Sequence, residues 1–243
     1  MMEKIGKYQF MAEPFHCDFN SRLLMGHLGN HLLNAADFHS NDRGFGMIYL
    51  KTINKAWVLS RLAVEMEYMP KAYDRSWVET AMRFFTNRNF AISGPDGQVY
   101  GYGRSVWAMI DTETRQPHNL LEINNGSISD YIEREKVCPI AKSSRVQMTP
   151  GAELVRTIDT YYNDVDMNGH INSVKYIEHV LDLWDLDWYS KHQIHRFEVA
   201  YVAESHQGDR LSLYREQTGE NEYCVRICKT GDVEVVRSKV VFF

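Results

Sequence analysis

The run Asp164-Val165-Asp166-Met167-Asn168-Gly169-His170-Ile171-Asn172 places carboxylates, carboxamides and an imidazole directly ahead of a segment whose apolar residues fall at helical spacing. Such a set offers proton acceptors, donors for a developing oxyanion, and oxygen ligands for a hard cation. Asp164, Asp166, Asn168 and Gly169 match the first half of an EF-hand loop, but the position that needs a bidentate carboxylate holds Lys175, which argues against calcium. Helix capping accounts for one Asn or Asp before a helix, not for the whole cluster. His27 and His31 have the spacing of a zinc pair, yet Leu28-Gly29-Asn30 between them lacks the glutamate of H-E-x-x-H, and no metal is expected.

The elements that must position these groups belong to a chain of 243 residues, 44% hydrophobic and 24% charged, a globular composition able to bury a sizeable core. A net charge of -5 argues against a dedicated nucleic-acid binder. No stretch approaches the ~20 apolar residues that span a bilayer. The opening Met1 to Lys7 lacks the apolar core of a signal peptide, so a cytoplasmic protein without stable membrane insertion is expected. Cys17, Cys138, Cys224 and Cys228 form no C-x-x-C pair and are expected to be reduced thiols.

The chain repeats itself. Arg61, Val64, Asp74 and Arg75 recur 135 positions later as Arg196, Val199, Asp209 and Arg210. Gly26-His27-Leu28 lines up with Gly169-His170-Ile171 at an offset of 143, and Arg104-Ser105 with Arg237-Ser238 at 133. Two copies of one supersecondary unit follow, over residues 1–123 and 151–243, joined by a linker at 124–150 with a short helix near Ser129 to Lys136. Each copy opens with a strand (about 8–18 and 152–162) that leads into a helix, with Leu24, Leu28, Leu32, Ala35 and Phe38 on one apolar face and Ile171, Val174, Ile177, Leu181 and Trp184 on the other. Strands follow at about 57–69, 76–86, 89–93 and 98–110, then at 195–203, 209–217, 222–229 and 234–242. A helix followed by an antiparallel meander implies an α+β fold, a curved sheet wrapped around that helix.

On these offsets Asp166 falls on Leu23, Asn168 on Met25, Glu204 on Met69 and Ser205 on Pro70, while His170 keeps a counterpart in His27. Polar groups at one copy and apolar ones at the other imply a single reacting site in the second copy and an apolar binding surface in the first.

Asp166-Met167-Asn168-Gly169-His170-Ile171-Asn172-Ser173-Val174-Lys175-Tyr176 resembles the D-x-N-x-H-x-N-N-x-K-Y segment of plant-type acyl-acyl carrier protein thioesterases. The run from Glu198 to Ser205 resembles their E-x-x-Y-x-x-E-C segment, and Trp57 to Arg61 and Ser105 to Met109 resemble their W-V-x-x-R and S-V-W-x-M runs. The resemblance covers residues 7 to 243 and implies two hot dog units in tandem, with Asp166, Asn168, His170 and Glu204 as catalytic positions. Ser205 stands where the family has cysteine, so water rather than a thiolate is the expected nucleophile and Ser205 is secondary. Glu204 or His170 would act as base, with Asn168 or a backbone N–H at the helix start positioning the water or the carbonyl and Asp166 orienting Asn168 or His170.

The implied substrate is a fatty acyl group on acyl carrier protein. Leu23, Met25 and Met69 are expected to contact the chain, and no cofactor is required. The acidic carrier calls for a basic surface, with Lys142, Arg145 and Lys175 as candidates. A monomer or homodimer is expected, since one chain already supplies two units. Acyl-CoA hydrolysis, dehydration of a hydroxyacyl thioester, and acyl binding without turnover are the alternatives.

Overall fold

Alternation along the strands and a 3.6-residue apolar stripe on the helices set the local structure of each copy. The computed structural model describes residues 3–83 and 86–243. They divide into a first unit reaching to Ser60 and continuing over Glu67–Ala141, and a second of Arg61–Met66 with Lys142–Phe243.

The first unit runs β1 (Ile5–Met11), a 3-10 turn (Pro14–His16), α1 (Met25–Asn41), α2 (Met47–Thr52), β2 (Lys55–Met66), β3 (Arg75–Met82), β4 (Asn87–Ser93) and β5 (Val99–Asp111). The expected strand at 76–86 is thus β3, and its far end touches residues 84 and 85, which lie outside the described residues. The second unit repeats the plan with β6 (Glu153–Asp159), a 3-10 turn (Tyr162–Asp164), α3 (Ser173–Leu181), α4 (Leu186–Lys191), β7 (Ile194–Tyr201), β8 (Arg210–Gly219), β9 (Glu222–Lys229) and β10 (Val233–Phe242).

Strand order corrects the expected simple meander. In the first unit it is β1-β3-β4-β5-β2, and in the second β7-β10-β9-β8-β6, with Arg61 to Glu65 of β2 pairing antiparallel to β7. Only three strands of each copy follow one another as a meander. The strand leaving each helix region crosses to the side of the sheet opposite the opening strand. The short helices α2 and α4 lead into those crossing strands, and neither was expected.

The buried stripe of α1 is Met25, Leu28, Leu32, Ala35, Ala36 and His39, while Leu24 and Phe38 lie at its flank and are exposed. In α3 the stripe is Val174, Ile177 and Val180, with Ile171 ahead of the helix and Trp184 beyond it. Trp57, one of the residues of the family pattern, donates its indole N–H to the Phe45 carbonyl at 3.0 Å, beside a cluster of Phe45, Leu50, Met82, Met109, Ile123 and Ile128.

The expected helix at 129–136 is not formed. Helical turns span Leu120–Tyr131, broken by left-handed Asn124, Asn125 and Gly126, and the chain then extends. It is tied down in the first unit by Glu133 N–H to the Met82 carbonyl at 2.8 Å and by Arg104 to the Cys138 carbonyl at 2.6 Å. In the second unit the N–H and hydroxyl of Ser144 both donate to Glu198, at 2.6 and 2.7 Å. All four cysteines are free thiols.

His39 is fully buried at the end of α1, with Nε2 3.0 Å from the Lys4 carbonyl. Burial, reinforced by the Arg88 charge, holds its imidazole far below the ordinary value, at about 3. The unfolded chain therefore binds a proton that the folded chain refuses, and stability falls as pH drops from the ordinary 6.5 toward 3. The expected loss from this residue approaches about 1.4 kcal/mol per pH unit inside that window. Thermal unfolding between pH 7 and 4 checks this: His39→Gln should flatten the decline, and an equally steep decline in the variant would contradict it.

Candidate active site

The loop before α3 is a tight reversal closed by a bridge between Val165 and Ile171. Asp166 frames it: its Oδ1 accepts the N–H groups of Asn168 (2.8 Å) and His170 (3.4 Å), and its own N–H donates to the His170 carbonyl at 2.8 Å. Gly169 turns the chain at φ 82°, a left-handed conformation that costs glycine little. Asp164 is a turn residue, its carboxylate accepting the Tyr161 N–H at 2.7 Å, and Asn172 caps α3 by accepting the Val174 N–H at 2.9 Å.

The segment after β7 completes the site. Ile171 donates its N–H to the Ser205 carbonyl at 2.9 Å, which draws the loop against residues 204 and 205. His170 Nε2 then lies 3.3 Å from Glu204 Oε2, with the two side chains 28% and 38% exposed. Water reaches both, so the pair contributes geometry more than stability. Lys229 Nζ holds the Glu204 carbonyl at 2.8 Å.

Ser205 points the other way. It is buried, and its hydroxyl is paired with the Tyr176 hydroxyl of α3. Burial pushes the Tyr176 phenol above its ordinary range, so it is a neutral partner at pH 7 and no base for Ser205. Asn168 joins the loop through its N–H and is itself exposed. The N–H groups of Ile171, Asn172, Val174 and Lys175 are all engaged by protein acceptors, which removes most of the backbone donors expected at the helix start.

Hydrogen bonds correct the alignment of the two copies. In the first unit Asp18 Oδ1 accepts the N–H groups of Asn20 (2.8 Å) and Arg22 (2.9 Å), Asp18 N–H donates to the Arg22 carbonyl, and Leu23 N–H donates to the Pro70 carbonyl at 2.8 Å. Each bond recurs in the second unit with the loop residues 148 positions on, not 143, and residue 70 moved 135 to 205. Asp166 therefore matches Asp18, Asn168 matches Asn20, Ile171 matches Leu23, and His170 matches Arg22. Gly26-His27 misled because it lies inside the first turn of α1, whereas Gly169-His170 precede α3. The supposed replacement of Asp166 and Asn168 by Leu23 and Met25 falls away, and the Asp166 carboxylate with the Asn168 backbone N–H belongs to a loop frame that both copies keep. What differs is His170 for Arg22, Glu204 for Met69 and Ser205 for Pro70.

Tyr201 of β7 reaches α3 through the Ser173 carbonyl (2.8 Å), while Arg196 and Glu198, on the other face of that strand, bond Lys142 and Ser144. Lys175 pairs with Glu178 at 2.7 Å. Tyr176, Lys229 and His206, whose ring centroid is 5.1 Å from that of His170, were not singled out by the sequence reading. Tyr176 stood in the quoted motif, but nothing in spacing marked the other two.

Since the Asp18 and Asp166 frames are equivalent, Asp18→Ala and Asp166→Ala should each cost about 0.5–1.5 kcal/mol by removing the acceptor of two N–H groups, and Asn at either position should restore most of it. Chemical denaturation of the four variants checks this. A neutral Asp166→Ala would contradict the frame.

The family model described as the acyl-ACP thioesterase N-terminal domain matches residues 5–124, and that of the C-terminal domain matches residues 149–237. An acyl-ACP thioesterase from Bacteroides thetaiotaomicron is similar in structure, with a TM-score of 0.91 and 52% identity over 99% of this chain and 98% of that one. The 12:0-ACP thioesterase from Umbellularia californica has the same fold, at TM-score 0.85 and 20% identity over 100% and 98% of the two chains. In sequence, the oleoyl-acyl carrier protein thioesterase 2 of Arabidopsis thaliana is 22% identical over 93% of this chain and 66% of its own length. The dodecanoyl-acyl carrier protein hydrolase of Cinnamomum camphora is 24% identical over 86% of this chain and 60% of its own length, so the chain spans at most about two thirds of these plant relatives. With matched domains covering both repeats and the hot dog architecture in each unit, the chain belongs to the acyl-ACP thioesterase family.

Proposed function

We propose that the chain hydrolyses fatty acyl thioesters of acyl carrier protein, with His170 and Glu204 as the reacting pair. The observation that carries this reading is the 3.3 Å contact between His170 Nε2 and Glu204 Oε2 at the positions where the two copies differ. Water adds to the thioester carbonyl as the pair takes its proton, the tetrahedral intermediate collapses, and the phosphopantetheine thiolate leaves with the proton returned by the same pair. Carboxylate and imidazole are in contact, so the base is assigned to the pair and not to one member of it. The exposed carboxamide of Asn168 is the proposed oxyanion donor, and Asp166 acts through the loop it frames.

Burial of the Ser205 hydroxyl against Tyr176 supports water as the nucleophile. For the acyl chain we propose the interior of the first unit, where Leu23, Met25 and Met69 are buried, as are Leu28 and Leu32 of α1. With Leu23 now equivalent to Ile171, the contrast between copies that supports this assignment is Met69 against Glu204. Relatives are named for oleoyl, dodecanoyl and palmitoyl substrates, so family membership leaves chain length open. No helix among the described residues is long and apolar enough to cross a membrane. The reading places the protein with its carrier, in the cytoplasm.

Free-thiol release from a ladder of acyl carrier protein and acyl-CoA thioesters tests the reading. Thiol and free fatty acid should appear together, with His170→Ala and Glu204→Ala each lowering kcat by at least about 100-fold. Ser205→Ala should lose less than about tenfold, and a loss matching Glu204→Ala would contradict water attack. An unsaturated acyl product on an intact thioester would mark dehydration instead, and acyl retention without thiol would mark a binding module.

A further inference from the structure

The corrected alignment pairs two further positions. In the first unit Arg22 and Lys71 face each other across an isolated antiparallel bridge. The offsets of 148 and 135 carry them to His170 and His206 in the second unit. A scaffold that sets two long cations side by side in one copy sets two imidazoles side by side in the other. Their ring centroids are 5.1 Å apart and their planes meet at 71°, an edge-to-face contact.

Main-chain bonds fix where His206 stands. Its N–H donates to Asp209 Oδ2 at 2.8 Å, and its carbonyl accepts the Thr160 hydroxyl at 2.8 Å and the Asp209 N–H at 3.1 Å. The ring takes no part in these bonds, so the loop does not need an imidazole at this position. Ser205 is buried toward Tyr176, and the residues on either side of it, Glu204 and His206, both contact His170. One binds the imidazole at Nε2 and the other lies against the ring.

We propose that His206 is a positioning residue: its edge-to-face contact with His170 restricts rotation of that imidazole and keeps Nε2 directed at Glu204. The inference rests on the hydrolysis reading for its effect on turnover, but the ring contact itself is independent of that reading. The role calls for an aromatic ring, not for a proton. Lys71, the equivalent residue of the first copy, cannot supply it.

Steady-state hydrolysis of an acyl carrier protein thioester by wild type, His206→Ala and His206→Phe tests the turnover effect. His206→Ala should lower kcat roughly two- to tenfold, the range an aromatic pair contributes, with KM unchanged and the thermal midpoint lowered by no more than a few degrees. His206→Phe should restore most of the loss. In parallel, the ring-proton NMR shifts of His170 should move in the Ala variant, where the neighbouring ring current is lost, and stay near wild type in the Phe variant.

The proposal is overturned if kcat is unchanged in His206→Ala, if Phe rescues no better than Ala does, if KM rather than kcat responds, or if the His170 signals do not move. A wild-type protein that releases no thiol would refute the hydrolysis reading instead, and the NMR comparison would still decide whether His206 holds the His170 ring.

Discussion

The candidate site depends on one main-chain hydrogen bond, from the Ile171 N–H to the Ser205 carbonyl at 2.9 Å. His170 and Glu204 come from different elements, a loop ahead of a helix and a segment after a strand, and nothing local brings them together. The bond does so by pinning the loop's last residue to the segment's midpoint. Asp166 keeps the loop from opening, and the Ser205 and Tyr176 hydroxyls close the polar interior behind it. Glu204 is left facing His170 and partly exposed.

The first unit builds the same tether from Leu23 to Pro70 and the same frame from Asp18, without an imidazole or a carboxylate at the contact. Chemistry in this fold is therefore a matter of a few side chains placed on a backbone that both copies share. Arg22 with Met69 in one copy and His170 with Glu204 in the other stand on equivalent hydrogen-bond networks. On the proposed reading, the duplicated scaffold lets the second unit react while the first holds an apolar group.

Strands were legible where alternation was strong, and the starts and ends of β7 to β10 lie within about two residues of expectation. Strand order was not legible, because the placement of β2 and β7 depends on which sheet edge each crossing reaches, a tertiary matter. The misalignment of the repeats has a similar cause. A match of Gly-His-Leu carries no information about whether the glycine sits in a helix or in a turn, whereas Asp18 and Asp166 show their kinship only through the N–H groups they accept. The meeting of His170 and Glu204 was readable only through the family pattern, since their separation along the chain gives no clue. His206 was invisible for the same reason, its partner being in another loop.

The most direct test of the central claim, that the two copies share a frame and differ in chemistry at the tethered contact, is to write the first copy's residues into the second. The double variant His170→Arg with Glu204→Met should unfold within a few degrees of wild type and release no thiol from acyl carrier protein thioesters above background. Retained turnover in this folded variant would contradict the account, because the reaction would then have to proceed without either member of the pair.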